Sequence, residues 1–372
     1  MPSTLQYKIA LSLFPRIGSI NARKIVSLLG GVEAVFEMAE SELRKMPDIG
    51  KSLIRTLIDE RENVLSKADE EINFIEKYGI KTFFYLDKDY PRRLALCEDS
   101  PVILFQKGTA TLNQQKIISI VGTRNATDYG RQQTEELISG LASLGINVMI
   151  VSGLAFGIDI TAHKAALKNN FQTIGVVGHG LDKIYPSMHA NIAREMIASG
   201  GGVLSDFVSG SKIDPGNFPR RNRIVAGLAD CTIVIESGEK GGALVTADIA
   251  NSYNRDVFAY PGRTNDPFSK GCNNLIKQNK AALIESASDL IQFMGWEPNT
   301  QPQQQVLFVD LNNEEQQIVD LLKRSETITT DIAAIDLKMN VQTINALMLS
   351  LEFKGVVKSL PGNRFKLISR CY

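Results

Sequence analysis

Between residues 117 and 262 the chain repeats one construction: a short apolar run, a loop rich in glycine, then a helical pattern. The apolar runs fall at 117–121, 147–151, 173–177, 231–235 and 257–260. Short continuous apolar segments of this kind predict parallel strands covered on both faces. Their alternation with helical stretches predicts βαβ units. Right-handed crossovers then place every loop that follows a strand on one edge of the sheet. The expected fold is therefore α/β: a Rossmann-like, doubly wound, mostly parallel sheet.

Each of those loops carries chemistry suited to an anion. Gly122-Thr123-Arg124 follows the first run, and an Arg two residues past a strand can fork onto a phosphate. A surface Arg, or one paired with a carboxylate, is the alternative. Residues 152–159 read SGLAFGID. In this tight turn Ser152, Gly153 and Gly157 would direct backbone N–H groups and a helix dipole at an anion. Lys240-Gly241-Gly242 opens another helix, as an anion nest or as a close helix–sheet contact. Residues 218–223, FPRRNR, gather Arg220, Arg221 and Arg223 around Asn222 at the head of an apolar helix. Guanidinium groups there oppose the helix dipole, so a bound anion would relieve the conflict. Salt bridges to Asp206 or Asp230 would do the same. Arg124, Ser152, Gly153, Gly178, Lys240, Gly241 and Gly242 are expected to converge.

Other function classes are disfavoured. The 41 Lys and Arg residues are balanced by 41 Asp and Glu. No bulk field draws in polyanions, so nucleic-acid binding must come from local clusters. Cys97, Cys231, Cys272 and Cys371 form no CxxC pair, which argues against a metal knuckle or redox motif. His163 follows Asp159 by one helical turn. The pair is read as structural, because no GxSxG, HExxH or Cys–His arrangement accompanies it. His179 and His189 lack a third ligand at metal spacing, so no zinc site is expected. Neither a first-loop GxGxxG nor a ribose-binding acid is evident, which disfavours a dinucleotide cofactor. No apolar run approaches the roughly 20 residues that span a bilayer, and the opening MPSTLQYKIA has no signal-peptide pattern. A reducing cytoplasm is the expected compartment.

The flanking regions differ in kind. Residues 17–24 (IGSINARK) and 46–53 (MPDIGKSL) each set an apolar residue and a Gly at a turn before a helix with an early Lys or Arg. That is a helix-hairpin-helix or SAM-like pattern, in which Gly lets the backbone approach a phosphate. A helical bundle with Gly caps, used for packing or protein contact, is the alternative. Residues 67–77 read as a further helix and 102–106 as a strand. Residues 298–305, PNTQPQQQ, read as a linker. Beyond it, helices at 313–324, 330–335 and 341–354, with strands at 355–359 and 364–368 across a turn at 361–363, make a winged helix. Its third helix carries one Lys and no Arg, which favours a protein contact over duplex DNA. The expected domains are 1–80, helical; 81–295, Rossmann-like; 296–306, linker; and 307–372, winged helix.

Taken together, VGTR, SGLAFGIDITAHKAAL, TIGVVGHGLDKIYP, FPRRNRIVAGLAD, EKGGALVTA and VFAYPG resemble, in order and spacing, the DprA/Smf family of bacterial DNA-processing proteins. The match runs from about residue 93 to 293. The resemblance implies single-stranded DNA binding without sequence preference by the Rossmann-like domain, which dimerises. It also implies protection of incoming strands, their delivery to RecA during natural transformation, no catalytic turnover and no cofactor. Arg124 matches the family's phosphate-binding Arg, and Arg221, Asn222 and Arg223 match its RNR segment. Gly153, Gly157 and Gly241-Gly242 match the backbone lining the pocket. Two departures stand out. Lys240-Gly241-Gly242-Ala243 replaces the family's usual KSGS, and His189 replaces an Asn. An enzyme of the phosphoribohydrolase type on a related fold is the alternative. Residues 237–246, SGEKGGALVT, lack the final Glu of that group's PGGxGTxxE motif.

Overall fold

Six helices open the chain: α1 (Thr4–Leu13), α2 (Ser19–Leu29), α3 (Val32–Glu37), α4 (Glu40–Leu43), α5 (Lys51–Asp59) and α6 (Arg61–Tyr78). The structure is a computed structural model that describes residues 3–46, 49–297, 311–325, 327–354, 356–360 and 363–367. Gly18 and Gly50 stand at the N-caps of α2 and α5, without a side-chain cap. Helix α6 starts six residues before the expected 67–77 segment and ends at left-handed Gly79. These helices share one hydrophobic cluster with Ile103, Phe105, Met196 and Val203 of the sheet region. Lys8 also pairs with Asp87 at 2.7 Å. The helical region is thus docked on the sheet.

Nine strands form the main sheet: β1 (Lys81–Phe84), β2 (Ile103–Gly108), β3 (Ile117–Val121), β4 (Met149–Ser152), β5 (Thr173–Val176), β6 (Gly202–Ser205), β7 (Cys231–Val234), β8 (Asp256–Ala259) and β9 (Ala282–Leu283). Their order is β1-β2-β6-β5-β4-β3-β7-β8-β9. Only β1–β2 and β2–β6 pair antiparallel; the remaining pairs are parallel. Successive residues of β3 serve opposite cores. Ile117 and Val121 face one cluster, and Ile118 and Ile120 face the other. The intervening helices are α7 (Arg92–Ala95), α8 (Asp128–Ser143), α9 (Ile158–Lys168), α10 (Ala190–Ala198), α11 (Asn217–Leu228), α12 (Gly242–Ser252), α13 (Lys270–Lys277) and α14 (Ala287–Met294). Helices α11, α12 and α13 cover one face, while α8, α9 and α14 cover the other.

Strand order reverses between β3 and β7. Sheets of this kind bind ligands in the crevice beyond the strand ends at such a switch point. The fold therefore singles out the loops after β3 and β7 before any side chain is considered.

Residues 300–372 form a separate compact unit. It holds α15 (Asn313–Arg324), β10 (Ile328–Thr329), α16 (Thr330–Leu337), α17 (Val341–Phe353), β11 (Val357–Leu360) and β12 (Arg364–Leu367). The sheet order β10-β12-β11 completes a winged helix. Asn312 and Glu315 make a capping box that starts α15, and the Thr329 side chain caps α16. The expected linker, 298–305, and most of the expected 361–363 turn lie outside the described residues. No helix among the described residues is long and apolar enough to cross a membrane.

Candidate nucleic-acid interface

A buried carboxylate ties the two sides of the switch point together. The Glu236 carbonyl, at the end of β7, accepts the Thr123 N–H at 2.8 Å. Its carboxylate accepts the Thr127 N–H at 2.9 Å and the Thr127 hydroxyl at 2.6 Å. The first turn of α8 is therefore locked to the β7 loop. Sequence reasoning missed Glu236; the available signal was an acid closing an apolar strand. The loop after β4 packs directly beneath. Gly157 has φ of +76°, and a Cβ there would lie 2.2 Å from the Thr123 carbonyl oxygen and 2.6 Å from that of Arg124. Only glycine permits both the backbone angle and the approach.

The floor of this edge is polar and buried. Ser152 is fully buried and donates its hydroxyl to the Ile120 carbonyl at 2.6 Å. Arg221 and Arg223 were expected among the anion-binding groups, but both turn inward, with 4% and 8% exposure. Arg221 donates to the Val176 carbonyl at 2.6 Å. It passes so close behind Gly153 that a Cβ there would sit 2.1 Å from its guanidinium. Burial lowers the Arg221 pKa to about 10, against the pull of Asp159. Burial raises Asp159, and Arg221 opposes that rise. Arg223 pairs with Asp206 at 2.7 Å and also donates to the Asp99 carbonyl. The salt-bridge alternative thus describes Arg223.

The Asp159–His163 pair is not formed: the Asp159 carboxylate accepts the Ala155 N–H at 3.4 Å and lies in the field of Arg221. His163 Nδ1 instead lies 2.7 Å from the Thr173 hydroxyl. That hydroxyl's proton goes to the Ile150 carbonyl at 3.0 Å, so Nδ1 is the protonated ring nitrogen. Nε2 is buried without a hydrogen-bond partner among the described residues. Burial depresses the ring to a pKa of about 3, with His189 and Arg221 adding to the effect. A ring held neutral and walled in is no general base for an outside substrate. His189 Nδ1 donates to the Leu154 carbonyl at 2.9 Å and so holds the 153–157 turn from the far side. An Asn amide could make the same bond, which accounts physically for that departure.

Above this floor lies a different kind of rim. Arg124 is exposed, and its guanidinium sits 5.4 Å from the centre of the Phe218 ring. Phe218 in turn stacks with Tyr185, with centroids 6.0 Å apart and planes at 30°. Tyr185 is 46% exposed. Phe156, 40% exposed, stands edge-on to His189 at 5.0 Å. The sequence reading missed all three aromatics, although large aromatic residues in Gly-rich loops (Phe156, Tyr185) or at the head of a helix (Phe218) are a visible signal. Arg220 is exposed and lies over Phe207 at 5.5 Å. Asn222 donates to the Gly242 carbonyl at 3.3 Å, linking α11 to the head of α12. Lys240 is exposed beside the uncapped Gly241. Thr123 is half-buried, with its hydroxyl accepting the Asn125 N–H at 3.2 Å. Gly178 meets Asn217 at the other end of the edge, and Gly122 abuts Ile158. No group of three His, Cys, Asp or Glu that could hold a metal ion occurs among the described residues.

The sequence profile described as DNA recombination-mediator protein A matches residues 81–295. That of the DprA winged helix domain matches residues 278–363. The chain belongs to the DprA/Smf family. Protein Smf of Synechocystis is 31% identical over 97% of this chain and 98% of its own length. The Streptococcus pneumoniae DprA structure is 32% identical, with a TM-score of 0.63 over 78% of this chain and 98% of that one. The Helicobacter pylori DprA structure, which addresses that protein's single-stranded DNA binding mode, is 31% identical. It has a TM-score of 0.52 over 58% of this chain and 96% of that one. The DprA/Smf profiles together cover the sheet that carries the rim and reach into the winged helix.

Proposed function

We propose that this chain binds single-stranded DNA along the Arg124 rim without reading its sequence. The observation that carries this is the sequence Arg124–Phe218–Tyr185: an exposed guanidinium, then two stacked rings, at the switch point of the sheet. A cation for phosphate beside a ring face for bases is what sequence-tolerant single-strand binding requires. Arg124 also lies close enough to Arg221 to lower its pKa further, so an anion above them relieves repulsion. Lys240, Asn222 and the amides at Gly241-Gly242 extend the same rim. On this reading Arg221, Arg223, Ser152, Gly153 and Gly157 shape the surface from below, and Gly122 and Thr123 set the position of Arg124.

We extend the reading, on family membership, to delivery of the strand to RecA during natural transformation, to a homodimer formed through the Rossmann-like domain, and to an absence of catalytic turnover. The division at 1–80, 81–295, 296–306 and 307–372 is part of the same proposal. Oligo-dT binding across a salt series tests the core claim: affinity falls steeply with salt when phosphates dominate. Arg124→Ala weakens binding to all sequences alike and leaves the circular dichroism spectrum unchanged. Salt-independent binding, or a normal Arg124→Ala variant, removes the rim from DNA. Release of free base from nucleoside monophosphates would favour the enzyme alternative instead. RecA nucleation on a coated strand, measured with and without the protein, tests delivery.

A further inference from the structure

A groove lies beyond the rim, between the α1–α2 turn and the head of α11. Its volume is about 830 Å³, within the range of pockets that enclose organic ligands, about 300–1,000 Å³. Arg16, Ser19 and Asn21 line one wall; Arg220 and Arg223 line the other, with Asp99. The charges do not balance. Arg223 is answered by Asp206. Asp99 is the one carboxylate among these lining residues, and it accepts the Tyr253 hydroxyl. Arg220 meets only the Phe207 ring and has no carboxylate partner among the described residues. Arg16 is exposed and makes no ion pair or hydrogen bond among the described residues. Its backbone is held left-handed, at φ of +63°.

We infer that this groove is a second track for the phosphodiester backbone of the same single strand, with the N-terminal helices as its outer wall. The inference rests on the proposed rim. Phe218, which carries Arg124, is followed directly by Pro219 and Arg220, which line the groove. A strand leaving the rim along the head of α11 therefore arrives between Arg220 and Arg16. Guanidinium groups suit this task because they fork onto phosphate oxygens. The outer wall is fixed in place. The N-terminal helices share a core with the sheet region. Glu71 of α6 also accepts the Ser209 N–H at 2.8 Å, in the loop leading to α11.

The test compares two fluorescent oligo-dT strands by anisotropy, one of about six and one of about twenty nucleotides, spanning the usual single-fold site sizes. Arg16→Asn removes the charge, and Asn tolerates the left-handed backbone. Asn21→Glu places an acid in the first turn of α2, where it favours the helix while repelling phosphate. Each variant weakens the long strand by about tenfold and leaves the short one unchanged, whereas Arg124→Ala weakens both. Unchanged binding of the long strand by Arg16→Asn and Asn21→Glu, or an equal loss at both lengths, overturns the groove. If Arg124→Ala alone is inert, the rim reading fails while the long-strand loss still stands for the groove.

Discussion

Two layers of one sheet edge use the same residue types for opposite ends. In the floor, Arg221 and Arg223 are buried and face Asp159 and Asp206, and Ser152 has committed its hydroxyl. In the rim, Arg124 and Lys240, and in the groove beyond it Arg220, are exposed and lack carboxylate partners among the described residues. The floor's charges hold loops in place, while the rim's charges are free to meet a ligand. Arg220 and Arg221 are neighbours in sequence, yet the helix turns one to solvent and the other to the core. A cluster of cations in a sequence is thus not one site. The difference predicts stability effects below and binding effects above.

The largest effect is expected in the floor. Asp159→Ala removes the stronger of the two carboxylates, Asp159 and Asp206, that act on the buried Arg221 guanidinium, and should cost about 3 kcal/mol of unfolding free energy. Arg124→Ala should stay within about 0.5 kcal/mol of wild type. Denaturant titration of both variants measures the contrast. An Asp159→Ala protein as stable as Arg124→Ala would dissolve the distinction between the layers.

Acid should act on the floor next, through His163. Its folded pKa of about 3 lies below the unfolded value of about 6.5. The unfolded chain therefore takes up the proton first, and stability falls as pH drops from about 6.5 toward 3. Asp159, raised by burial, works in the opposite sense. His163→Asn keeps a side-chain donor for Thr173 and removes the titration. The variant should lose less stability over that window, by on the order of 2 kcal/mol after allowance for relaxation. Parallel pH curves for the two proteins would show that the ring does not contribute.

The rim's aromatic pair should give a smaller effect, visible only in binding. Tyr185→Ala should weaken oligo-dT by about 1–2 kcal/mol, roughly tenfold, while Tyr185→Phe keeps the ring and the affinity. A strand carrying abasic sites at most positions should not distinguish these variants. Equal losses for normal and abasic strands would mean that the ring serves packing rather than bases.

Much of this organisation was legible before any coordinates. The strands at 117–121 and 173–176 announce themselves as apolar runs ending in glycine, 231–234 as one closed by Glu236, and the loops after them do reach one edge. Strand β6 was not legible. It opens on the last residue of Gly200-Gly201-Gly202, which reads as a loop, yet a Cβ on Gly202 would lie 2.6 Å from the Lys107 carbonyl oxygen. The glycine is there to let β2 pair with it. Strands β1 and β9 are edge strands of few residues, too short for a periodic signal. The site was half legible: the motifs located Arg124 and the glycine loops. Which arginine of FPRRNR faces out depends on the rotation of α11 over the sheet, and no local pattern encodes that. The rings of Phe156 and Tyr185 come from two separate loops and that of Phe218 from the first turn of α11, and they become a surface only once the sheet order is known.

The smallest expected effect probes the departure at Gly241-Gly242-Ala243. Gly241 is the N-cap of α12, with extended backbone and no side-chain cap. A Cβ there would meet only the Ser237 hydroxyl, at 2.8 Å. That hydroxyl bonds the neighbouring Gly238 carbonyl and can swing aside. Gly241→Ser therefore fits. Its hydroxyl can either cap α12, adding a few tenths of a kcal/mol to stability, or face a phosphate on the rim beside Lys240. The two outcomes separate the layers once more. A gain in melting temperature with unchanged oligo-dT affinity assigns position 241 to the floor. A gain in affinity of about twofold to fivefold, at unchanged stability and lost at high salt, assigns it to the rim. The exposure of Lys240 and the open space around Gly242 favour the second outcome.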